Sequence, residues 1–361
     1  MSDRVYNFAA GPATMPESVL QRAQSELLNW HGCGMSVMEL SHRGSQFAEI
    51  HAEAKERFKR LLGVPDTHEV LFMQGGATGQ FAAVPLNLMD GRAASYAVTG
   101  NFSGIAAREA RRYGEVSVAF DGAEEHYRRI PRQEELSIDP GAAYFHYCAN
   151  NTIFGTAWDY VPESGGVPLV CDMSSEIMSH PVDVARYALI YAGAQKNIAP
   201  AGLTVVVLDK RLAGREREIT PQVFNYKTMV DKDSMPNTPP CWCIYMLGLV
   251  LGWIEEQGGL EEMDRRRRER SAVLYEVLDN SRLYLPHAER GSRSMMNVTF
   301  RTPSAELDAE FVAGAKARGL LNVKGHRLTG GMRASIYNAM PVEGARALAE
   351  YMKEFEVEHH V

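Results

Sequence analysis

Lys196 and Asp172 are the two side chains whose settings ask for chemistry. The lysine stands in Leu189 to Thr204, LIYAGAQKNIAPAGLT, just beyond a short apolar run; the aspartate ends a second such run, VPLVCD, with Ser174 and Ser175 after it. Runs of this kind read as buried strands of a parallel sheet, and ligands gather at the carboxyl ends of such strands. Around the lysine, Gly193, Ala194, Ala199, Pro200, Ala201 and Gly202 leave space for a bulky planar group and bring no carboxylate to hold the ammonium in an ion pair. An ammonium placed there is partly desolvated, its pKa falls, and the freed amine is a nucleophile. A solvated loop lysine and a turn or capping aspartate are the ordinary fates of these residue types. The pairing of the two at strand ends is what favours chemistry.

A third segment adds an anion site. In Glu69 to Phe81, EVLFMQGGATGQF, a strand runs into Gly75, Gly76, Ala77, Thr78 and Gly79, and then into a helical pattern with Pro85 early in it. Small residues let the backbone approach a phosphate, and the free amides and dipole of a helix start favour an anion. The loop is neither a Walker loop nor a GxGxxG fingerprint, so by itself it is a weak signal. An amine for covalent capture, a carboxylate for a ring nitrogen and a phosphate cradle are together what pyridoxal phosphate requires.

With these residues in view, the chain resembles the class V aminotransferases, pyridoxal-phosphate enzymes, and within them the phosphoserine aminotransferase branch. The resemblance is carried by FAAGPATMP at Phe8 to Pro16, SVMELSHRG at Ser36 to Gly44, GGATGQFAAVPLNL at Gly75 to Leu88, HYCANNTIFG at His146 to Gly155, YAGAQKNIAPAGLT at Tyr191 to Thr204, NTPP at Asn237 to Pro240 and KGHRLTGGMRASIYNAMP at Lys324 to Pro341. It implies that Lys196 is the Schiff-base lysine and Asp172 the partner of the pyridine nitrogen. By the same resemblance Phe102 stacks on the cofactor ring where the family usually has tryptophan, and Thr152 touches the ring region. Ala77, Thr78 and Gln195 help hold the phosphate, and Asn237 and Thr238 reach it from the neighbouring subunit of a homodimer with shared active sites. Thr78 departs from the arginine of enterobacterial members, and Asn151 from a frequent acidic residue.

Substrate recognition falls to the cationic motifs. His42 and Arg43 lie in SHRG, and His326, Arg327 and Arg333 in KGHRLTGGMR. Guanidinium groups bind carboxylate and phosphate bidentately, as an amino acid with a second anion requires, whereas the default for each arginine is a solvated surface position. The resemblance implies transfer of the amino group of L-glutamate to 3-phosphohydroxypyruvate, giving O-phospho-L-serine and 2-oxoglutarate for serine biosynthesis. It leaves open the four-carbon homologue that yields 4-phosphohydroxy-L-threonine for pyridoxine. An alanine-glyoxylate type aminotransferase is the rival, against which the two histidine-arginine motifs argue. A cysteine desulfurase needs a nucleophilic cysteine in its C-terminal portion, and none follows Cys243. A non-catalytic cofactor-binding regulator would need an appended DNA-binding domain or loss of the lysine.

The elements that must position these groups follow from alternating signals. Strands are expected at Glu69 to Met73, Ala94 to Val98, Val116 to Phe120, Ala142 to Tyr147, Pro168 to Asp172, Leu189 to Ala192 and Thr204 to Leu208, after a helix near Pro16 to Trp30. The pattern predicts an α/β protein of the fold-type-I pyridoxal-phosphate transferase kind, with helices on both faces of a mostly parallel sheet. A helical region, Cys243 to Leu278, broken near Gly258 and Gly259, leads to strands in MNVTFR and MRASIYN and a helix from Val342 to Glu356. This predicts an N-terminal arm (1–15), a large cofactor-binding domain (16–256) and a small C-terminal α/β domain (257–361). Arg265 to Arg268 read as the exposed face of a helix, paired with Glu261, Glu262, Asp264 and Glu269 at helical spacing.

At 361 residues and 45% apolar composition the chain can bury a large core, and its net charge of -7 would repel a phosphate backbone, so no nucleic acid is expected. No apolar run of membrane-spanning length occurs, and the N-terminus MSDRVYNFAAGP has no signal core, so the cytoplasm is expected, with small-molecule substrates as partners. The cysteines at 33, 148, 171, 241 and 243 lack metal-ligand spacing and read as reduced packing residues, Cys241-Trp242-Cys243 included.

Overall fold

The computed structural model describes residues 4–359. Its strands are β1 (Tyr6–Asn7), β2 (His68–Met73), β3 (Ala94–Val98), β4 (Val116–Asp121), β5 (Phe145–Cys148), β6 (Asn150–Asn151), β7 (Thr156–Ala157), β8 (Leu169–Asp172), β9 (Leu189–Gly193), β10 (Thr204–Asp209), β11 (Leu285–Pro286), β12 (Asn297–Arg301), β13 (Leu320–Leu321) and β14 (Met332–Ser335). The helices are α1 (Glu17–Ser25), α2 (Ser45–Leu62), α3 (Gly76–Leu88), α4 (Asn101–Ala110), α5 (Tyr226–Asp231), α6 (Cys241–Glu256), α7 (Gly259–Asn280), α8 (Ala305–Ala317) and α9 (Val342–Glu358). No helix among the described residues is long and apolar enough to cross a membrane.

Seven strands form the main sheet, in the order β2-β10-β9-β8-β5-β3-β4. Strands β3, β4, β5, β8 and β9 pair in parallel, and β10 runs antiparallel to both β9 and β2. The central strands are buried on both faces, which is why they read as unbroken apolar runs and not as alternation. One apolar core joins a face of this sheet to α2 and α6, and a second lies between the other face and α3 and α4. A third core forms around the small sheet β11-β12-β14, and takes in Phe8 from the N-terminal segment and Leu274, Val277 and Leu278 from α7.

The expected strands are present with shifted ends. The largest shift is at β5, which starts at Phe145 and not Ala142, because the Asp139 to Ala142 turn spends the amide of Ala142 on the Asp139 carbonyl. The first helix stops at Ser25; the Asn29 side chain then takes the amide of Gly34 at 2.7 Å, so Trp30 enters a separate single turn. The long helical region is two helices parted at Gly258. Helix α2, absent from the sequence reading, is the amphipathic element that buries Phe47, Ile50, Ala54, Phe58 and Leu62. The basic run needs a correction. All four arginines pair with Glu262, Asp264 or Glu269, but Arg267 is buried and Arg266 half-buried, because α7 packs against both α6 and α9.

Candidate active site

Lys196 closes a single helical turn, Ala194 to Lys196, directly after β9. The amides of Ile198 and Ala199 both return to the Ala194 carbonyl, and the Ala194 amide bonds the Leu203 carbonyl, so the loop is tied at its base before β10 begins. The Lys196 Nζ donates to Thr152 Oγ1 at 2.6 Å and lies 5.2 Å from the centroid of the Phe102 ring. Burial pulls its pKa below the usual lysine range; Asp172 and Cys148 work against the shift, and Arg333 adds to it. A lysine held this way keeps a larger share of its amine free than a solvated one.

Asp172 ends β8 in register with Tyr191 of β9 and Cys148 of β5, and is 4% exposed. Its Oδ1 accepts the Ser174 amide at 2.9 Å, and the Ser174 hydroxyl accepts the Gly193 amide at 3.0 Å, which links the exits of the two strands. Burial raises its carboxyl pKa, opposed by hydrogen bonds from Ser174 and Tyr191 and by the charge of Lys196.

Thr152 is buried at the turn of the β6–β7 ribbon, and Phe102 sits half-buried in the first turn of α4. Asn150, two residues before Thr152, donates to Ser175 at 2.8 Å and to Asn297 at 2.7 Å; Asn297 in turn donates to Ser335 and Tyr337. This buried network joins the ribbon to the small sheet, and from β14 the Arg333 guanidinium reaches the Thr152 carbonyl at 3.3 Å. Lys196 and Arg333 therefore converge on Thr152 from separate elements. The sequence reading missed Asn150, Asn297 and Tyr337 because nothing in one strand's pattern reveals a cross-sheet polar contact; the position of Asn150 two residues before Thr152 was the available signal.

The phosphate cradle has its expected parts. After β2, Gly75 turns into α3 with φ +93°, a conformation that favours glycine, and no side chain caps the helix. The first-turn amides, including those of Ala77 and Thr78, are thus left for an anion. Gln195 is half-buried beside the lysine, and its carbonyl holds the amide of Ala13 at 3.0 Å. That bond lays the N-terminal segment over the lysine: a Cβ on Gly11 would stand 3.1 Å from Lys196 Cγ, so only glycine fits without a shift.

The cationic residues divide. Burial is the main reason that the pKa values of Arg333 and His326 are lowered, and Arg333 also acts on His326, so the two share one region. Arg327 is exposed next to His326. His42 and Arg43 lie on the turn before α2; the His42 Nε2 is buried without a hydrogen-bond partner, and among the described residues no hydrogen bond or ion pair joins either residue to Lys196. Asn237 and Thr238 are exposed, and the Thr238 carbonyl accepts from Gln74 at 3.3 Å, beside the cradle of their own chain.

The class V aminotransferase model matches residues 5–348. The chain is a class V aminotransferase of the phosphoserine aminotransferase family. Relatives in Pseudomonas fluorescens and Azotobacter vinelandii, both named phosphoserine aminotransferase, are 52% and 50% identical over 99% of this chain and all of theirs. Among solved structures, a phosphoserine aminotransferase from Bacillus circulans subsp. alkalophilus superposes with a TM-score of 0.97 at 43% identity over 99% of this chain and 100% of that one. A pyridoxal-phosphate-bound phosphoserine aminotransferase from Trichomonas vaginalis does so with 0.93 at 38% identity, over 97% and 100%. These class V relatives are matched end to end, and the cradle, lysine and carboxylate of this chain have the donor set and the burial that pyridoxal phosphate needs.

Proposed function

We propose that this enzyme transfers the amino group of L-glutamate to 3-phosphohydroxypyruvate, giving O-phospho-L-serine and 2-oxoglutarate, with the four-carbon phosphorylated homologue as a second substrate. The observation that carries the reading is the desolvated Lys196 amine held at 2.6 Å by Thr152, beside the buried carboxylate of Asp172. Bound pyridoxal phosphate supplies a carbonyl carbon that carries the amino group between substrates and a ring that withdraws electrons from the substrate Cα–H bond.

Ala77, Thr78 and Gln195 hold its phosphate, Phe102 covers one face of its ring, and Asp172 accepts the hydrogen bond of its ring nitrogen. Lys196 Nζ, whose ammonium burial disfavours, accepts the Cα proton of the amino donor and returns a proton to Cα of the product in the second half-reaction. Arg333 binds the substrate α-carboxylate as a planar pair. His326 and Arg327 bind the second anion, joined by His42 and Arg43. Among the described residues the last two make no hydrogen bond or ion pair with Lys196 inside one chain, which supports a homodimer in which they, with Asn237 and Thr238, serve the neighbouring copy's pocket. The break at Gly258 and the separate third core support a division into an arm (1–15), a large domain (16–256) and a small domain (257–361). Five unpaired cysteines accord with a cytoplasmic location.

The test is transamination by the purified, cofactor-loaded protein. O-phospho-L-serine should be converted with 2-oxoglutarate as acceptor, in strong preference to serine and alanine. Equal use of alanine with glyoxylate would favour the rival aminotransferase.

A further inference from the structure

A cavity of about 830 Å³ opens between the loop that follows β4 and the small sheet, and none of the groups assigned above lines it. The β4 loop contributes His126 and Arg128 to one wall; His287, just after β11, and Arg301 of β12 stand on the other. Leu328 and Thr329 close one end. They belong to a turn in which the amides of Thr329 and Gly330 return to the His326 carbonyl at 3.0 and 2.8 Å, so the cavity backs onto the turn that carries His326 and Arg327.

The charge of this cavity is one-sided. Two arginines and two histidines line it and no carboxylate does, in a chain whose net charge is -7. Among the described residues no ion pair engages Arg128 or Arg301, both exposed, whereas Arg129, next along the chain, is held by Glu125 and Glu135. The His287 Nε2 lies 2.9 Å from the His126 carbonyl, which can only accept, so Nε2 carries the proton. Burial lowers the His287 pKa; the bond to that carbonyl opposes the shift, and the nearby Arg128, Arg301 and His126 add to it. Like charges gathered without a counter-charge repel one another, and an anion placed among them removes the repulsion.

The walls are also built and partly apolar. His126 and Tyr127 are consecutive non-glycine residues in the left-handed region, with φ of +54° and +56°. Such a conformation persists only where its surroundings over-determine it. Here the amides of His126 and Tyr127 return to the carbonyls of Ala123 and Gly122 at 3.0 and 2.9 Å, and His287 fixes the loop from the far wall. The ring of Tyr127 packs on Phe154 at 4.8 Å, and Phe154 on His287 at 5.5 Å. Leu285, in register with Arg301, and Leu328 line the cavity while 45% and 49% exposed. A concave site with apolar surface and a few convergent polar groups is the usual form of a small-molecule pocket.

We propose that this cavity is a second ligand site, for a small phosphate monoester whose dianion is held by Arg128 and Arg301 from opposite walls and whose organic body lies on Leu285 and Leu328. Two planar forks suit a dianion with three free oxygens, whereas a carboxylate has oxygens for one fork only. The site is distinct from Lys196 and does not depend on which amino acid is transaminated.

The test is calorimetric titration of the cofactor-loaded protein with phenyl phosphate. The catalytic pocket also attracts anions, so the titration is made in wild type and again in Arg327→Ala/Arg333→Gln. Both should bind the probe, and adding Arg128→Gln/Arg301→Gln to the second background should weaken binding at least tenfold, the loss expected when charge-assisted hydrogen bonds are removed. Phenyl phosphate should bind about fivefold more tightly than inorganic phosphate, through its apolar contact, and benzoate at least tenfold more weakly than phenyl phosphate. Binding that is unchanged within twofold by Arg128→Gln/Arg301→Gln overturns the proposal. So does binding that disappears in Arg327→Ala/Arg333→Gln, which would place the probe in the catalytic pocket. Equal affinity for inorganic and phenyl phosphate removes Leu285 and Leu328 from the site, and benzoate as tight as phenyl phosphate refutes the choice of a dianion.

Discussion

The two halves of the pocket are finished to different degrees. In the half around Lys196, the amine, the Asp172 carboxylate, the Ser174 hydroxyl and the Thr152 hydroxyl are bonded to one another or to backbone, and burial shifts the ionisable ones. In the half proposed for the second anion, the guanidinium groups of Arg43 and Arg327 are exposed and, among the described residues, paired with no carboxylate, unlike the exposed Arg265 and Arg268. Lysine chemistry needs its environment in place before the substrate arrives, because desolvation is what frees the amine. Anion recognition needs the opposite, since an arginine already paired has no fork to offer.

The largest expected effect lies in the finished half. Lys196→Ala should lower transamination about a thousandfold or more, since one nitrogen moves the proton in both half-reactions. The protein should still fold and bind cofactor loosely, without the wild-type visible absorption. A normal visible spectrum in this variant would move the covalent role to another residue.

Arg333 belongs to both halves, and separating it from Arg327 sharpens the contrast. Arg333→Gln should cost about a hundredfold in kcat/KM for every amino acid tested, because each carries the α-carboxylate. It should also move the pH dependence of cofactor capture by the apoprotein. Arg333 helps lower the Lys196 pKa, so its loss raises that pKa, and the midpoint of the capture rate should shift to higher pH. Arg327→Ala should cost about tenfold, mainly in KM, for phosphoserine alone, with glutamate less affected and capture unmoved. A uniform loss across substrates would place Arg327 with Arg333.

The unfinished half also predicts that two copies complete each other. Mixed dimers of Lys196→Ala chains with Asn237→Ala/Thr238→Ala chains contain one pocket with an intact lysine and an intact donated pair. Activity after mixing and refolding should exceed that of either parent, and that of the Lys196→Ala parent by about a hundredfold or more. If mixing gives only the average of the parents, Asn237 and Thr238 serve the cradle of their own chain, where the Gln74 to Thr238 bond already places them.

The contrast also explains what the sequence could disclose. Strand runs, the glycine turn at Gly75 and the Lys196 loop are local patterns, so most strands of the sheet and the positions of Asp172 and Lys196 at strand ends were legible nearly to the residue. What was hidden depends on packing across elements. Arg267 looks like its neighbours in a string of four and is buried only because α7 lies against other helices. Tyr191 and His146 sit inside apolar runs as ordinary strand residues, and the 2.8 Å contact of the Tyr191 hydroxyl with His146 Nε2 exists only once β5, β8 and β9 are side by side. The fold of the N-terminal segment over Lys196 is equally invisible, since Gly11 and Gln195 meet across most of the large sheet's length in sequence.

Phe102 gives the smallest and most local test of the finished half. Its ring stands 5.2 Å from the Lys196 amine, so it can cover one face of a planar cofactor, but a phenyl ring covers less area than an indole and lacks its N–H. Phe102 is half-buried, in contact with solvent on one side, which leaves room for a larger ring. Phe102→Trp should therefore tighten cofactor binding by ~0.5–1.5 kcal/mol, between about twofold and about tenfold, and perturb the visible band of the bound cofactor while leaving kcat nearly unchanged. Weaker binding would mean that the polar groups around Thr152 and Lys196 already fix the ring's position so closely that added stacking area displaces it. The finished half would then be specified by its hydrogen bonds, with the aromatic face playing no more than a filling role.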